Sequence, residues 1–288
     1  MTNVMAEGLA SAGGTRWYDL RDEASGAVRR VFVWLPPGDA PQAGWPALMM
    51  TDGNAVIGTA VDAMRAQAFY PSGTNIGWGV LIAVGYPTED AYDPFRRSWD
   101  LGPPPGSSYP PFWPDTPEVR TGGGAEMARF LLDQVRPFVA GLAPLDPARQ
   151  GLFGHSFGGL FALWLLFTRP EAFSHVIAAS PAITWEDSFL LDHLAAFDPQ
   201  GRRLRVHLSA GEWEGDHLAP FQEGAADAAT RLADKAKTRT LAAAQEMAVA
   251  LARHPGVSAQ YETYAGETHM SVLPVAVNRA IQTVFALR

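Results

Sequence analysis

The 288-residue sequence contains no cysteine. That single absence excludes disulfide frameworks, thiolate nucleophiles, zinc knuckles and iron–sulfur ligation. No uninterrupted apolar stretch reaches the length of about 18 residues that a membrane-spanning helix needs. Met1–Thr15 shows no basic segment followed by an apolar one, the pattern of an export signal. The chain therefore reads as soluble and cytoplasmic, with no membrane span. Cations are scarce, with 22 Lys and Arg against 30 Asp and Glu and a net charge of −8 at pH 7. No basic block recurs, so nucleic acid is not an expected partner. What the chain has in quantity is apolar side chains, 47% of the total, enough to bury a sizeable core without covalent or metal staples.

Met1–Gly14 is rich in Gly, Ala and Ser and reads as a disordered tail, with one domain spanning residues 15–288. Apolar and polar residues alternate over Arg16–Leu20 and Val28–Leu35 around a turn at Glu23–Gly26, which predicts an antiparallel hairpin. Pro46–Met50 and Trp78–Val84 are apolar runs stopped by Asp52-Gly53-Asn54 and Gly85, with helical spacing over Ala55–Phe69 between them. Strand, helix and strand in that order predict a βαβ unit. The proline- and glycine-dense stretch from Tyr86 to Gly124 predicts an irregular loop, and its aromatics argue that it packs over something.

Beyond that loop the pattern predicts a helix over Ala125–Val139, a strand at Gln150–Phe153 and a buried helix over Gly159–Thr168. Strands at Val176–Ser180, Arg205–Ala210 and Ser258–Tyr264 follow, interleaved with helices at Asp187–Phe197, Ala225–Arg253 and Ser271–Phe285. The sum is an α/β fold with a mostly parallel central sheet flanked by helices and an N-terminal antiparallel hairpin.

Gly154-His155-Ser156-Phe157-Gly158 fits G-x-S-x-G between a predicted strand and a predicted helix, the context of a nucleophile elbow. A serine hydroxyl needs a base within hydrogen-bond reach, and in hydrolases of this architecture the acid and then the base follow the serine in the chain. Of seven histidines, His269 alone sits in a loop after the last predicted strand and before the last helix. His269 is therefore the expected base. The acid should follow the strand Arg205–Ala210, where Glu212, Glu214 and Asp216 compete; Glu214 is the choice and Asp216 the alternative. A metal reading of that loop is weaker, because its carboxylates and His217 lack evenly spaced partners. No metal and no cofactor is expected. Two backbone N–H groups should stabilise a developing oxyanion, from Phe157 after the serine and from Asn54 after the early strand.

These residues resemble the esterase-D-like branch of the α/β-hydrolases, which includes S-formylglutathione hydrolases, feruloyl esterases, mycolyltransferases and siderophore esterases. The resemblance runs from about Arg16 to the end. Within it Leu48-Met49-Met50-Thr51-Asp52-Gly53-Asn54-Ala55-Val56, Ala83-Val84-Gly85-Tyr86, Gly154–Gly159, Ala179-Ser180-Pro181 and His269-Met270-Ser271-Val272 look most like the enterobactin and salmochelin esterases, the Asp52–Val56 run being the most specific. The resemblance implies an α/β-hydrolase fold and hydrolysis of the trilactone of a catecholate siderophore. It also implies acyl transfer by Ser156 and His269, without a cofactor. Some relatives act in the periplasm and carry an export signal, which this sequence does not show.

The segment Arg96-Arg97-Ser98-Trp99-Asp100 matches a cue of that group, so Arg96, Arg97 and Trp99 are candidates for binding a trianionic ferric catecholate through charge and ring contact. The bland alternative is a solvated arginine pair. Trp185 and Trp213, near the same rim, are candidates for a catechol site, with loop packing as the alternative. Two further functions compete with the siderophore esterase. One is a general carboxylesterase or thioesterase of the S-formylglutathione hydrolase kind, the other a non-catalytic siderophore-binding relative, against which the intact elbow counts.

Overall fold

In the computed structural model, which describes residues 13–186 and 189–287, the period-two alternation of the first segments forms β1 (Arg16–Arg21) and β2 (Val28–Trp34). The two pair antiparallel, Arg16 opposite Val33 and Arg21 opposite Val28, and Asp22 closes the turn by accepting the amide of Gly26. Of the expected N-terminal tail only Gly13 and Gly14 lie within the described residues, and the Gly13 carbonyl accepts a 2.8 Å hydrogen bond from Trp34 Nε1.

β3 (Trp45–Met50), α1 (Gly53–Ala68), the short α2 (Pro71–Thr74) and β4 (Val80–Gly85) form the βαβ unit. Next come α3 (Pro94–Leu101), a small ribbon of β5 (Ser108–Tyr109) and β6 (Val119–Arg120), and α4 (Gly124–Arg129), continued by a π-helical turn into α5 (Arg136–Ala140). The second half runs β7 (Leu145–His155), α6 (Phe157–Thr168), β8 (His175–Ala179), α7 (Leu190–Ala195), β9 (Leu204–Gly211), α8 (Ala228–Thr238), α9 (Thr240–Leu251), β10 (Val257–Tyr264) and α10 (Val272–Phe285).

One eight-stranded sheet results, in the order β1-β2-β4-β3-β7-β8-β9-β10, antiparallel at β1–β2 and β2–β4 and parallel elsewhere. Parallel strands covered on both faces read as continuous apolar runs, and alternate residues divide between two cores. Met49, Ile82 and Val176 face the layer that includes α6 and α9; Leu48, Met50, Leu81 and Ile177 face α1 and α10. Among the described residues no helix is long and apolar enough to cross a membrane.

Three sequence expectations are corrected. The stretch from Tyr86 to Gly124 is not irregular throughout, because it carries α3 and the β5–β6 ribbon. Pro94 occupies the first turn of α3, where a missing N–H costs nothing, and the Asp93 side chain caps the helix by accepting the Arg96 amide at 3.0 Å. Ala225–Arg253 is not one helix either; Arg239, at φ 47°, breaks it into α8 and α9. The helix expected over Asp187–Phe197 is the shorter α7, with Asp187 and Ser188 outside the described residues.

Candidate active site

β7 ends at His155 and α6 begins at Phe157, so one residue makes the whole turn. Ser156 is held at φ 58°, ψ −116°, a left-handed conformation that costs a non-glycine residue about 1–3 kcal/mol. The glycines on either side permit it. A Cβ on Gly154 would lie 2.0 Å from the Gly158 carbonyl oxygen, and one on Gly158 would lie 2.4 Å from Thr51 Oγ1. Strand and helix therefore approach too closely for a side chain at Gly154, and one at Gly158 would be driven into Thr51, just past the end of β3.

Ser156 Oγ lies 3.0 Å from His269 Nε2, and His269 Nδ1 lies 2.5 Å from Glu214 Oε2. The loops after β9 and β10 bring the last two together. They are tied by hydrogen bonds from the Trp213 amide to the Glu267 carbonyl (2.9 Å) and from the Gly266 amide to Glu212 Oε2 (2.7 Å). The three carboxylates of the first loop are thus sorted by partner. Glu212 is a loop tie, Asp216 is exposed and meets His217 at 3.0 Å, and Glu214 is buried.

The second oxygen of Glu214 accepts from Ser180 Oγ (2.5 Å) and from the Gly211 amide (2.8 Å). Burial by itself pushes this carboxyl up, but the hydrogen bonds from His269, Ser180 and Gly211 outweigh it and hold the group below the usual range. An ionised Glu214 only accepts, so His269 Nδ1 carries the proton and Nε2 is free to accept from the Ser156 hydroxyl.

His155 lies under this chain of groups. Its ring sits 4.7 Å from that of His269, and its Nε2 donates to the His269 carbonyl at 2.8 Å. It therefore positions the backbone of the base. Burial, and next the repulsion that a protonated His269 would exert, push the His155 imidazole down to about 4; burial and nearby Arg205 do the same to His175 at the start of β8. The unfolded chain, with ordinary histidines, takes up protons as pH falls below about 6.5 while the folded chain does not. The stability from both groups is complete above that pH and is lost as pH drops toward 4. Each contributes a loss of about 2 kcal/mol between pH 7 and pH 5. Urea unfolding at the two pH values checks this, and His175→Gln should remove a substantial share of the difference.

Two helix N-termini converge on the elbow. Phe157 is the first residue of α6 and Asn54 the second of α1, positions whose N–H groups have no partner within their own helix. The Asn54 side chain fixes the approach by accepting from the Tyr86 amide (2.9 Å) and donating to the Tyr86 and Thr88 carbonyls (3.0 and 2.9 Å). Asp52, at φ 54° immediately before α1, is clamped by both forks of Arg97 at 2.8 and 2.9 Å.

That clamp bears on the expectation that Arg97 binds substrate, because one bidentate edge of its guanidinium is engaged by Asp52 and it is absent from the cavity that Ser156 lines. Arg96 donates to the Val28 carbonyl and stacks over Tyr86, and Trp99 is covered by Arg120 at 5.2 Å. Arg96 and Trp99 line a different cavity of about 430 Å³ that includes none of Ser156, His269 and Glu214. Folding α3 against the sheet thus gives Arg96, Arg97 and Trp99 partners within the scaffold, apart from the cavity that Ser156 lines. Arg97→Met strands a buried Asp52 carboxylate, and a loss of about 3–5 kcal/mol on thermal unfolding is the expected result.

The cavity at Ser156 holds about 630 Å³ and is lined by Tyr109, Trp185, Glu186, Lys237 and His269 among others. Trp185 is one wall of it, edge-on to Phe157 at 4.6 Å and tilted against Tyr109 at 5.0 Å. Trp213 lines a neighbouring cavity that shares His269, with its ring on His217. Sequence reasoning missed Tyr109, Glu186 and Lys237 as wall residues, and Ser180 as a partner of the acid. Only Ser180 carried a signal, its place directly after a strand.

The Esterase family model matches residues 23–270. The chain is 34% identical over 262 residues to the ferri-bacillibactin esterase BesA of Bacillus subtilis, spanning 89% of this chain and 84% of that protein. It is 41% identical over 171 residues to the siderophore enterobactin esterase of Emericella nidulans, over 58% of this chain and 55% of that one. Among solved structures, the siderophore hydrolase EstA from Aspergillus nidulans superposes with a TM-score of 0.84 at 28% identity, over 99% of both chains. With its elbow on a mostly parallel sheet of the α/β-hydrolase type, this chain belongs to the Esterase family.

Proposed function

We propose that this carboxylic ester hydrolase cleaves the ester bonds of a catecholate siderophore, such as the trilactone of enterobactin or salmochelin, and so contributes to iron release. The observation that carries the reading is the hydrogen-bonded series Ser156–His269–Glu214 at the edge of a cavity walled by Trp185 and Tyr109. The names of the relatives supply the substrate class.

Ser156 Oγ attacks the ester carbonyl carbon while His269 Nε2 takes its proton. The carbonyl oxygen, now negative, is held by the N–H groups of Phe157 and Asn54, each donor contributing about 3 kcal/mol to the transition state. Glu214 keeps His269 in the right tautomer and stabilises the imidazolium. That imidazolium then protonates the departing seryl alkoxide. A water, deprotonated by His269, releases the acyl group as a carboxylate and restores Ser156. Repetition at each ester opens the ring and yields linear catechoyl-serine products, with ferric ion entering as cargo.

The test is chromatographic. Purified protein and its Ser156→Ala variant are incubated with enterobactin, ferric and iron-free, and in parallel with p-nitrophenyl butyrate and S-formylglutathione. Ser156-dependent conversion of the trilactone to linear products is the expected result. Fast turnover of the small esters with the trilactone untouched would sink the substrate assignment and leave a general esterase.

A further inference from the structure

α8 buries none of its residues, although it is an eleven-residue helix in a chain with two extensive cores. Packing of an apolar face is what holds most helices in place, so α8 is retained by something else. Two hydrogen bonds anchor its C-terminal half, from Thr184 Oγ1 to the Thr238 carbonyl at 2.9 Å and from Lys235 Nζ to the Trp213 carbonyl. Both anchors are loop residues beside the triad. The helix thereby borders two cavities that share His269: Asp234 and Thr238 line both, and Lys237 lines the one containing Ser156.

The cations of this segment are unequal. Arg231 is paired with Asp227 at 2.7 Å, Arg239 with Glu246 at 2.6 Å, and Lys235 is spent on the Trp213 carbonyl. Lys237 has no such partner among the described residues. In the cavity of Ser156 it stands with two carboxylates, Asp234 beside it on α8 and Glu186, which accepts from Tyr109 OH, on the loop that follows β8. Without Lys237 the only fixed charges on that lining would be negative.

Resting on the siderophore reading, we propose that α8 is a substrate-binding cap on which Lys237 sets the preference between the ferric and iron-free forms of the ligand. A ferric tris-catecholate is a trianion, whereas the protonated iron-free catechols are neutral and can donate to a carboxylate. Lys237 attracts the first. Glu186 repels it and accepts from the second. An exposed ion pair is worth well under a tenfold change for one unit charge, but three charges on one ligand raise the effect to about tenfold.

The experiment measures kcat/KM for ferric and iron-free enterobactin with wild type, Lys237→Met, Lys237→Arg and Glu186→Gln. The ferric-to-iron-free ratio should fall about tenfold in Lys237→Met, through KM rather than kcat, and return in Lys237→Arg. In Glu186→Gln, which can still accept from Tyr109, the ratio should rise. Added salt should lower the ferric kcat/KM of wild type more steeply than that of Lys237→Met. If wild type turns over both forms and the ratio stays fixed in Lys237→Met, the cap assignment is wrong while the siderophore reading stands. A wild-type enzyme that opens neither form overturns both, and small-ester turnover shows that the protein is active.

Discussion

Ser156→Ala should lower kcat on the siderophore ester by about a million-fold while the protein still folds and still binds its ligand. Three observations on the serine lead there. Its Oγ is the atom 3.0 Å from His269 Nε2, so its removal abolishes the covalent route outright rather than slowing it. What remains is the contribution of the backbone N–H groups and of substrate positioning, the residue of catalysis that survives loss of such a nucleophile. The strained turn is also preserved, because alanine keeps the Cβ and the backbone bonds from Ser156 N to the Ala179 carbonyl (2.9 Å) and from Leu160 N to the Ser156 carbonyl (3.0 Å) involve no side chain. Product chromatography under single-turnover conditions reads the rate, and quenching of tryptophan fluorescence by the ferric complex reads binding. Substantial residual turnover would show that the chemistry runs elsewhere.

The second large effect is at the acid. Glu214→Ala should cost kcat on the order of ten-thousand-fold, the loss seen when an imidazole is no longer held in its tautomer. It should also destabilise the fold by about 2–4 kcal/mol, because Ser180 Oγ and the Gly211 N–H are left as buried donors without an acceptor. Glu214→Gln separates the two costs: the amide oxygen still accepts from Ser180 and Gly211, so stability recovers more than kcat does. Asp216→Ala is the control. Its carboxylate is exposed and meets only His217, and both kcat and the melting temperature should stay within experimental scatter of wild type. The reverse ranking of Glu214 and Asp216 would move the acid.

Much of this was legible beforehand because it is local. The elbow is five consecutive residues, and Gly154 is required by a clash between one strand end and the helix that follows it. His269 stands out by chain order alone, as the histidine in the last strand-to-helix loop, and folding leaves its Nε2 3.0 Å from Ser156 Oγ. The strands of the parallel sheet announced themselves as apolar runs because both of their faces are covered. Pro94 misled for the same local reason: proline density signals a break, yet a proline in a first turn starts a helix once a neighbour such as Asp93 supplies the cap.

The long-range pairings were a different matter. The sequence by itself determined the reaction type, since the elbow serine and the alternation of strands and helices follow from short patterns that obey backbone geometry. Only the tertiary structure separates Glu212, Glu214 and Asp216, because three carboxylates within five residues differ by burial and by the donors that reach Glu214 from Ser180 and Gly211. It also decided that Arg97 belongs to Asp52, 45 residues away, and that the cation of the cavity is Lys237 on a helix with no buried face. A charge has no periodicity that reveals its partner. Its role is fixed by where folding leaves it relative to water and to opposite charge.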